Sequence, residues 1–185
     1  MSSSEGRGAE AVTGEFARSA TREQAAVFGA ACAERAAAIL FWVVAGDGRT
    51  ADLEAYAKEL EALWTPGTLT EGRGRIEGMR ELVEGDGASG ARAFAYQGAV
   101  ALHTAMGAEP VLGCSSVLRD MAFRLGRRCG ADLLTGEDET QRRDIADLTS
   151  GAADGAIRER SREAGRRWLA LAAGQFGGRP GETGR

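Results

Sequence analysis

Apolar side chains recur at three- and four-residue intervals along most of the chain, the period of a helix with one buried face, and no alternating run lies between hairpin turns. The pattern predicts an all-α protein, a single-domain bundle of six or seven helices. Thr21, followed three residues later by Gln24, has the spacing of a capping box and opens a helix running to about Ala45, where GDGRT stops it. Phe28, Ala31, Cys32, Ile39, Trp42 and Val43 fall in one stripe of that helix. Thr50 is placed to cap a second, with Leu53, Tyr56, Ala57, Leu60, Leu63 and Trp64 at helical spacing and Pro66 and Gly67 as its stop. A weaker third covers residues 70 to 84 on Ile76, Met79 and Val83, against three internal glycines, and EGDGASG follows as a loop.

Ala91 to Met106 and Ser115 to Cys129 read as the fourth and fifth helices. The acidic run Glu137, Asp138, Glu139 suits the first turn of a sixth that ends near Ser150. Asp154 caps a seventh, with Ile157, Ser161, Ala164, Trp168 and Leu171 inward and Arg158, Arg162 and Arg166 outward. Residues 1 to 20 and 177 to 185 carry few apolar positions and read as flexible tails on a domain spanning 21 to 176.

A chain of 185 residues with 43% hydrophobic and 27% charged positions can bury one sizeable core, which excludes wholesale disorder. The longest apolar run without a charge, Ala36 to Gly46, has 11 residues against the ~20 that cross a bilayer, so no membrane span is expected. The first residues are acidic and lack a basic-then-apolar order, so no secretory signal is expected and a cytoplasmic location is. Cys32, Cys114 and Cys129 form no CxxC pair, and His103 is the one histidine, so reduced core thiols without a metal are expected.

Arg35 changes this picture, because at 100° per residue it lands near the centre of the apolar stripe of the first long helix. A guanidinium keeps its charge, and burying it unpaired costs several kcal/mol, so the position demands a carboxylate. The acid comes from the helix holding Asp52 or from the one holding Asp144 and Asp147; Glu34 points elsewhere. An ion pair that locks helix packing is the leading reading. An anion-binding pocket around Arg35 is the other.

The stretch FGAACAERAAAILFWVVAGDGRTADLEAYAKELEALW resembles the opening of the YjaG-like family of uncharacterised bacterial proteins, whose F-x-A-x-x-C-E-R core is followed by a loop and a helix ending in leucine and tryptophan. That motif falls on Phe28, Ala30 and Cys32 to Arg35, with the cysteine displaced by one residue. AYQGAVALHTAM is similar to the family's middle helix. The resemblance covers about half the chain, implies an all-α fold and supplies no chemistry. Related helical proteins look like immunity partners of toxins.

His103 with a cysteine would be a nucleophilic pair, yet no flanking nucleophile motif accompanies any thiol and each thiol falls on an apolar stripe. On the fourth helix Tyr96, Val100 and His103 lie opposite the main stripe, which makes that helix either central or half of a homodimer interface. Arg119, Arg124, Arg127 and Arg128, with Arg158, Arg160, Arg162, Arg166 and Arg167, are interleaved with acids and read as solvated surface, so nucleic acid is not expected. No phosphate-loop pattern occurs in a strand-turn-helix setting. Net charge is -4, and residues 47 to 86 hold 10 acids against 5 bases. The function expected is therefore non-catalytic protein binding, immunity- or antitoxin-like, through an acidic surface that includes Glu54, Glu61, Glu77 and Glu81. No cofactor is expected. A small enzyme or anion-binding protein built around Arg35 is the alternative.

Overall fold

A computed structural model of the protein describes residues 2–65, 72–151 and 154–177. Among these the chain forms nine α-helices and no strand: α1 (Ser2–Ser19), α2 (Arg22–Gly46), α3 (Thr50–Leu63), α4 (Arg73–Glu77), α5 (Arg80–Glu84), α6 (Ala91–Ala105), α7 (Pro110–Cys129), α8 (Leu133–Ser150) and α9 (Asp154–Phe176). The all-α expectation holds, with two more helices than the pattern predicts at most.

α2 is the hub. Its start is the expected capping box, Thr21 Oγ1 accepting from the Gln24 amide at 3.1 Å while Gln24 Oε1 accepts from the Thr21 amide at 2.9 Å. Fourteen of its residues are buried, from Val27 to Val44, so it is apolar nearly all round as a surrounded helix must be. α6 and α9 pack most extensively on it, and α3, α7 and α8 complete the shell. Gly165 permits the approach of α9, since a Cβ there would sit 2.9 Å from the Arg35 carbonyl oxygen. By length and composition α2 could cross a membrane, contrary to the estimate from the uncharged run, because the apolar stretch continues on both sides of Arg35. Most of that stretch is buried inside the bundle.

Five elements differ from the pattern for identifiable reasons. Residues 2–19, expected as tail, are helix α1, which lies on α7 and α8. Its stripe, Ala9, Thr13 and Phe16, contains a single large apolar side chain, which tilts onto Phe28 at 5.8 Å between ring centroids. Thr50 is the first helical residue of α3 and caps nothing; Arg49 precedes it and uses its side chain on Asp52 and Glu81. On α3 Ala57 is exposed, and Ala55 takes the inner position.

The third helix is two short ones, because Met79 adopts an extended conformation (ψ 141°) that buries its side chain beside Ile76 and turns Val83 out to 72% exposure. α7 starts five residues before Ser115, at Pro110, whose ring suits the first helical position. α8 is opened by Asp132, which accepts from the Thr135 amide at 3.2 Å, and this moves the acidic run into its second turn, where Glu137 and Asp138 are buried. The expected stop at Pro66 and Gly67 and the expected tail beyond Gly177 lie outside the described residues.

Candidate functional site

Arg35 is wholly buried, and the acids it demands come from α8. Its Nη1 donates to Asp144 Oδ2 at 2.7 Å and to Ser161 Oγ at 3.2 Å, while Nη2 lies 3.1 Å from Glu137 Oε1 and 3.3 Å from Cys32 Sγ. Asp144 is shared: Arg160 approaches its Oδ1 at 2.7 Å and also reaches Asp147 at 2.7 Å. Behind Glu137, Gln141 Nε2 donates to Oε1 at 2.8 Å and Gln141 Oε1 accepts from Ser115 Oγ at 2.6 Å. One cluster thus pins α2, α7, α8 and α9 together. Asp52, the other partner considered, is engaged by Arg49.

Two buried carboxylates face the Arg35 guanidinium, and Arg160 brings a second cation to one of them, Asp144. Asp144 is neutralised by two arginines and Glu137 by one, and burial raises the Glu137 carboxyl despite Arg35 and Gln141 pulling it down. Burial likewise opposes the charge on Arg35, and Glu137 and Asp144 more than restore it. Glu137 Oε2 and Arg35 Nε have no hydrogen-bond partner among the described residues. Arg35 has no exposed surface and is enclosed by this ion network.

The signal for the missed members was present. Glu137, Gln141, Asp144 and Leu148 follow helical spacing, so polar residues occupy an otherwise inward stripe of α8, and all four are buried.

The acidic surface is largely neutralised by arginine. Glu54 is exposed as expected. Glu61 accepts from Arg158 Nη1 at 3.0 Å, and that bond holds its carboxyl below the usual range. Glu77 lies 3.0 Å from His103 Nε2 and 3.1 Å from Arg73 Nε, and the first of these lowers it most. Glu81 is not a surface acid: it is buried and takes Arg49 through both oxygens at 2.6 and 2.9 Å. Burial would raise Glu81, and the Arg49 guanidinium overrides it. Asp47 is held by Arg92 at 2.9 Å and Glu84 by Arg80 at 2.6 Å.

Tyr96, Val100 and His103 are half-buried, and α4 and α5 of the same chain pack against α6. With His103 bonded to Glu77 and 3.2 Å from Arg73 Nη2, that part of the face has an internal partner. The thiols are placed elsewhere: Cys114 donates to the Ala101 carbonyl at 3.6 Å and Cys129 to that of Leu171 at 3.7 Å. Burial pushes Cys114 up to about 12 and Cys32 well above the usual thiol range, so neither offers thiolate at neutral pH. Among the described residues no group of three metal-ligating side chains is assembled.

The arginine set is mostly paired. Arg119 bonds Asp138 at 2.7 Å and Glu10 at 2.5 Å, Arg124 bonds Asp120 at 2.9 Å, Arg162 bonds Glu34 at 3.0 Å and Arg166 bonds Glu159 at 3.0 Å. Arg167 pairs with Glu163. Arg158 is drawn inward over the Trp64 ring, 5.4 Å from its centroid, while Trp64 Nε1 donates to Glu34 Oε2 at 2.8 Å.

The larger concave feature is a cleft of about 1000 Å³ where the α1–α2 turn, the end of α3 and the α6–α7 turn meet. Val27, Trp64, Ala105 and Val111 make its buried floor, and Met106 and Leu112 its more open wall. Charges of both signs, Arg18, Arg22, Glu23 and Glu109, stand round the rim. An apolar hollow with a sparse polar edge is the form that binding sites take. The pattern along the chain does not reveal it, because its residues come from three separate segments, each with an ordinary helical pattern.

No family model matches the chain, and no curated protein or solved structure matches it. The resemblance to the YjaG-like family rests on the motifs around Phe28 to Arg35 and on the α6 segment alone.

Proposed function

We propose that the protein is a non-catalytic helical binding module that engages another protein, in the manner of an immunity or antitoxin partner, through the cleft between the α1–α2 turn, the end of α3 and the α6–α7 turn. The observation that supports this reading is the cleft itself. It has an apolar floor wide enough for side chains of a partner helix, a mixed-charge rim and Leu112 standing 53% exposed at its edge. Acids that are already bonded to arginines within the chain have less field to offer a partner, so the interaction is mainly apolar. A small enzyme or anion-binding protein centred on Arg35 is the weaker reading, because the cluster spends its charges on itself.

The experiment is affinity capture from the source organism with wild type and Leu112→Glu, washed at low and high salt. A partner that survives high salt with wild type and is lost with Leu112→Glu, at unchanged melting temperature, supports the cleft. A partner that leaves at high salt from both proteins, and is lost on reversing Glu54 and Glu61, returns the site to the acidic face.

A further inference from the structure

A second hollow, of about 490 Å³, lies between the amino end of α6 and the last turns of α7. Its α7 wall is aromatic and basic. Phe123 is 48% exposed, the Arg127 guanidinium sits 5.8 Å from its ring centroid, and Arg124 and Arg128 complete the wall. Arg124 is held by Asp120, whereas Arg127 and Arg128 have no ion-pair partner among the described residues.

The opposite wall is the segment leading into α6 and the first turn of that helix, with Ala88, Ser89, Gly90 and Ala93 lining the space. Gly90 precedes the helix at φ 60° and ψ -139°, a conformation closed to most side chains, and it supplies no capping oxygen. The leading N–H groups of this 15-residue helix are therefore uncapped and carry the positive end of its dipole toward a wall of arginine. At the base stands Gln97, which is 6% exposed. Its Nε2 donates to Asp120 Oδ2 at 2.5 Å, and its Oε1 is buried with no hydrogen-bond partner among the described residues. Buried acceptors are nearly always matched, and here the chain provides no donor.

Three features with different chemistry thus converge on one space: an anion-attracting turn with two unpaired arginines, an exposed aromatic ring and an unmet acceptor. We propose that this hollow binds a small anionic ester whose body is a flat ring bearing an N–H donor. The oxyanion lies at the α6 turn and Arg127 and Arg128, the ring lies against Phe123, and the donor reaches Gln97 Oε1. The proposal is independent of the cleft, which lies at the opposite end of α6.

Calorimetric titration of the full chain with adenosine 5′-monophosphate, adenosine and inorganic phosphate as separate probes tests it. The monophosphate is expected to bind at least tenfold more tightly than either half. Arg127→Ala with Arg128→Ala should weaken it about tenfold, and Phe123→Ala should weaken it while leaving phosphate binding unchanged. All three positions are exposed, so melting temperatures near wild type are expected and make the comparison valid. Phosphate binding as tightly as the monophosphate would mean anions gathered by surface arginines and would overturn the proposal. So would no heat with the monophosphate at millimolar concentration, unchanged affinity in the arginine variant, or an affinity that climbs with oligonucleotide length.

Discussion

The guanidinium of Arg35 donates from Nη1 to Asp144 Oδ2 at 2.7 Å, joining α2 to α8 across 109 positions of sequence with both side chains wholly buried. Removing one partner of such a pair leaves the other charge stranded in a low-dielectric interior, which costs more than the intact pair is worth. Arg35→Ala leaves Glu137 without a cation and Asp144 with Arg160 alone, and opens a cavity, so the loss expected is about 3–5 kcal/mol, or roughly 6–20 °C in melting temperature for a chain of this size. Arg35→Leu refills part of the space and should melt between Arg35→Ala and wild type. Thermal melts of the three proteins check the order, and equal values for all three would place Arg35 at the surface.

The raised Glu137 carboxyl gives a pH dependence with a definite sign. Glu137 holds its proton more tightly in the folded chain than in the unfolded one, because burial outweighs Arg35 and Gln141. Its contribution is therefore complete below about pH 4.3, the unfolded value, and is lost as pH rises through the folded-state value. Glutamine has no proton to lose. The melting temperature of Glu137→Gln should accordingly gain on wild type as pH increases from about 4, and a gap that stays constant between pH 4 and 8 would show Glu137 ionised throughout.

Thiol reactivity follows from burial. Cys32 and Cys114 are buried and Cys129 is half-buried, so a thiol reagent at neutral pH should modify Cys129 first and the other two only on unfolding. Mass spectrometry after timed labelling reads this directly. Rapid modification of Cys32 in the folded protein would contradict the sealed environment beside Arg35.

Two acids on the same side of the sequence should behave oppositely. Glu54 is exposed, and Glu54→Lys should change stability by no more than about 0.5 kcal/mol. Glu81→Lys places a cation against Arg49 where a bidentate carboxylate stood, and should cost about 3–5 kcal/mol. Chemical denaturation of the two variants distinguishes them, and similar midpoints would put Glu81 back on the surface.

Periodicity alone is enough to read α2, α6 and α9, because each keeps apolar or small residues at helical spacing over several turns. It missed α1, whose stripe has Phe16 as its one large side chain, and it fused α4 with α5, because the break at Met79 is a backbone turn made to bury Met79 and Ile76 together. Arg35 was legible as a buried cation, since a charge at the centre of an apolar stripe has one physical resolution. The same logic narrows its partner to two helices, but the acidic run suggests a first turn at Glu137, whereas Asp132, five residues earlier, is the cap and places Glu137 in the second turn. The cleft and the hollow at α6 are products of tertiary arrangement: Leu112, Trp64 and Val27 acquire a shared surface, and Phe123 comes to face the α6 amino end, only when the helices are assembled.

A double-mutant cycle across Arg35 and Asp144 tests most directly whether the buried cluster is the fastener of the bundle. Arg35→Leu, Asp144→Leu and the double variant are compared with wild type by denaturant unfolding at pH 7. Each single change should cost several kcal/mol and the double change much less than their sum, a coupling of at least about 2 kcal/mol between the two side chains. Additive effects, with a coupling below about 0.5 kcal/mol, would contradict the pair and with it the placement of α8 against α2.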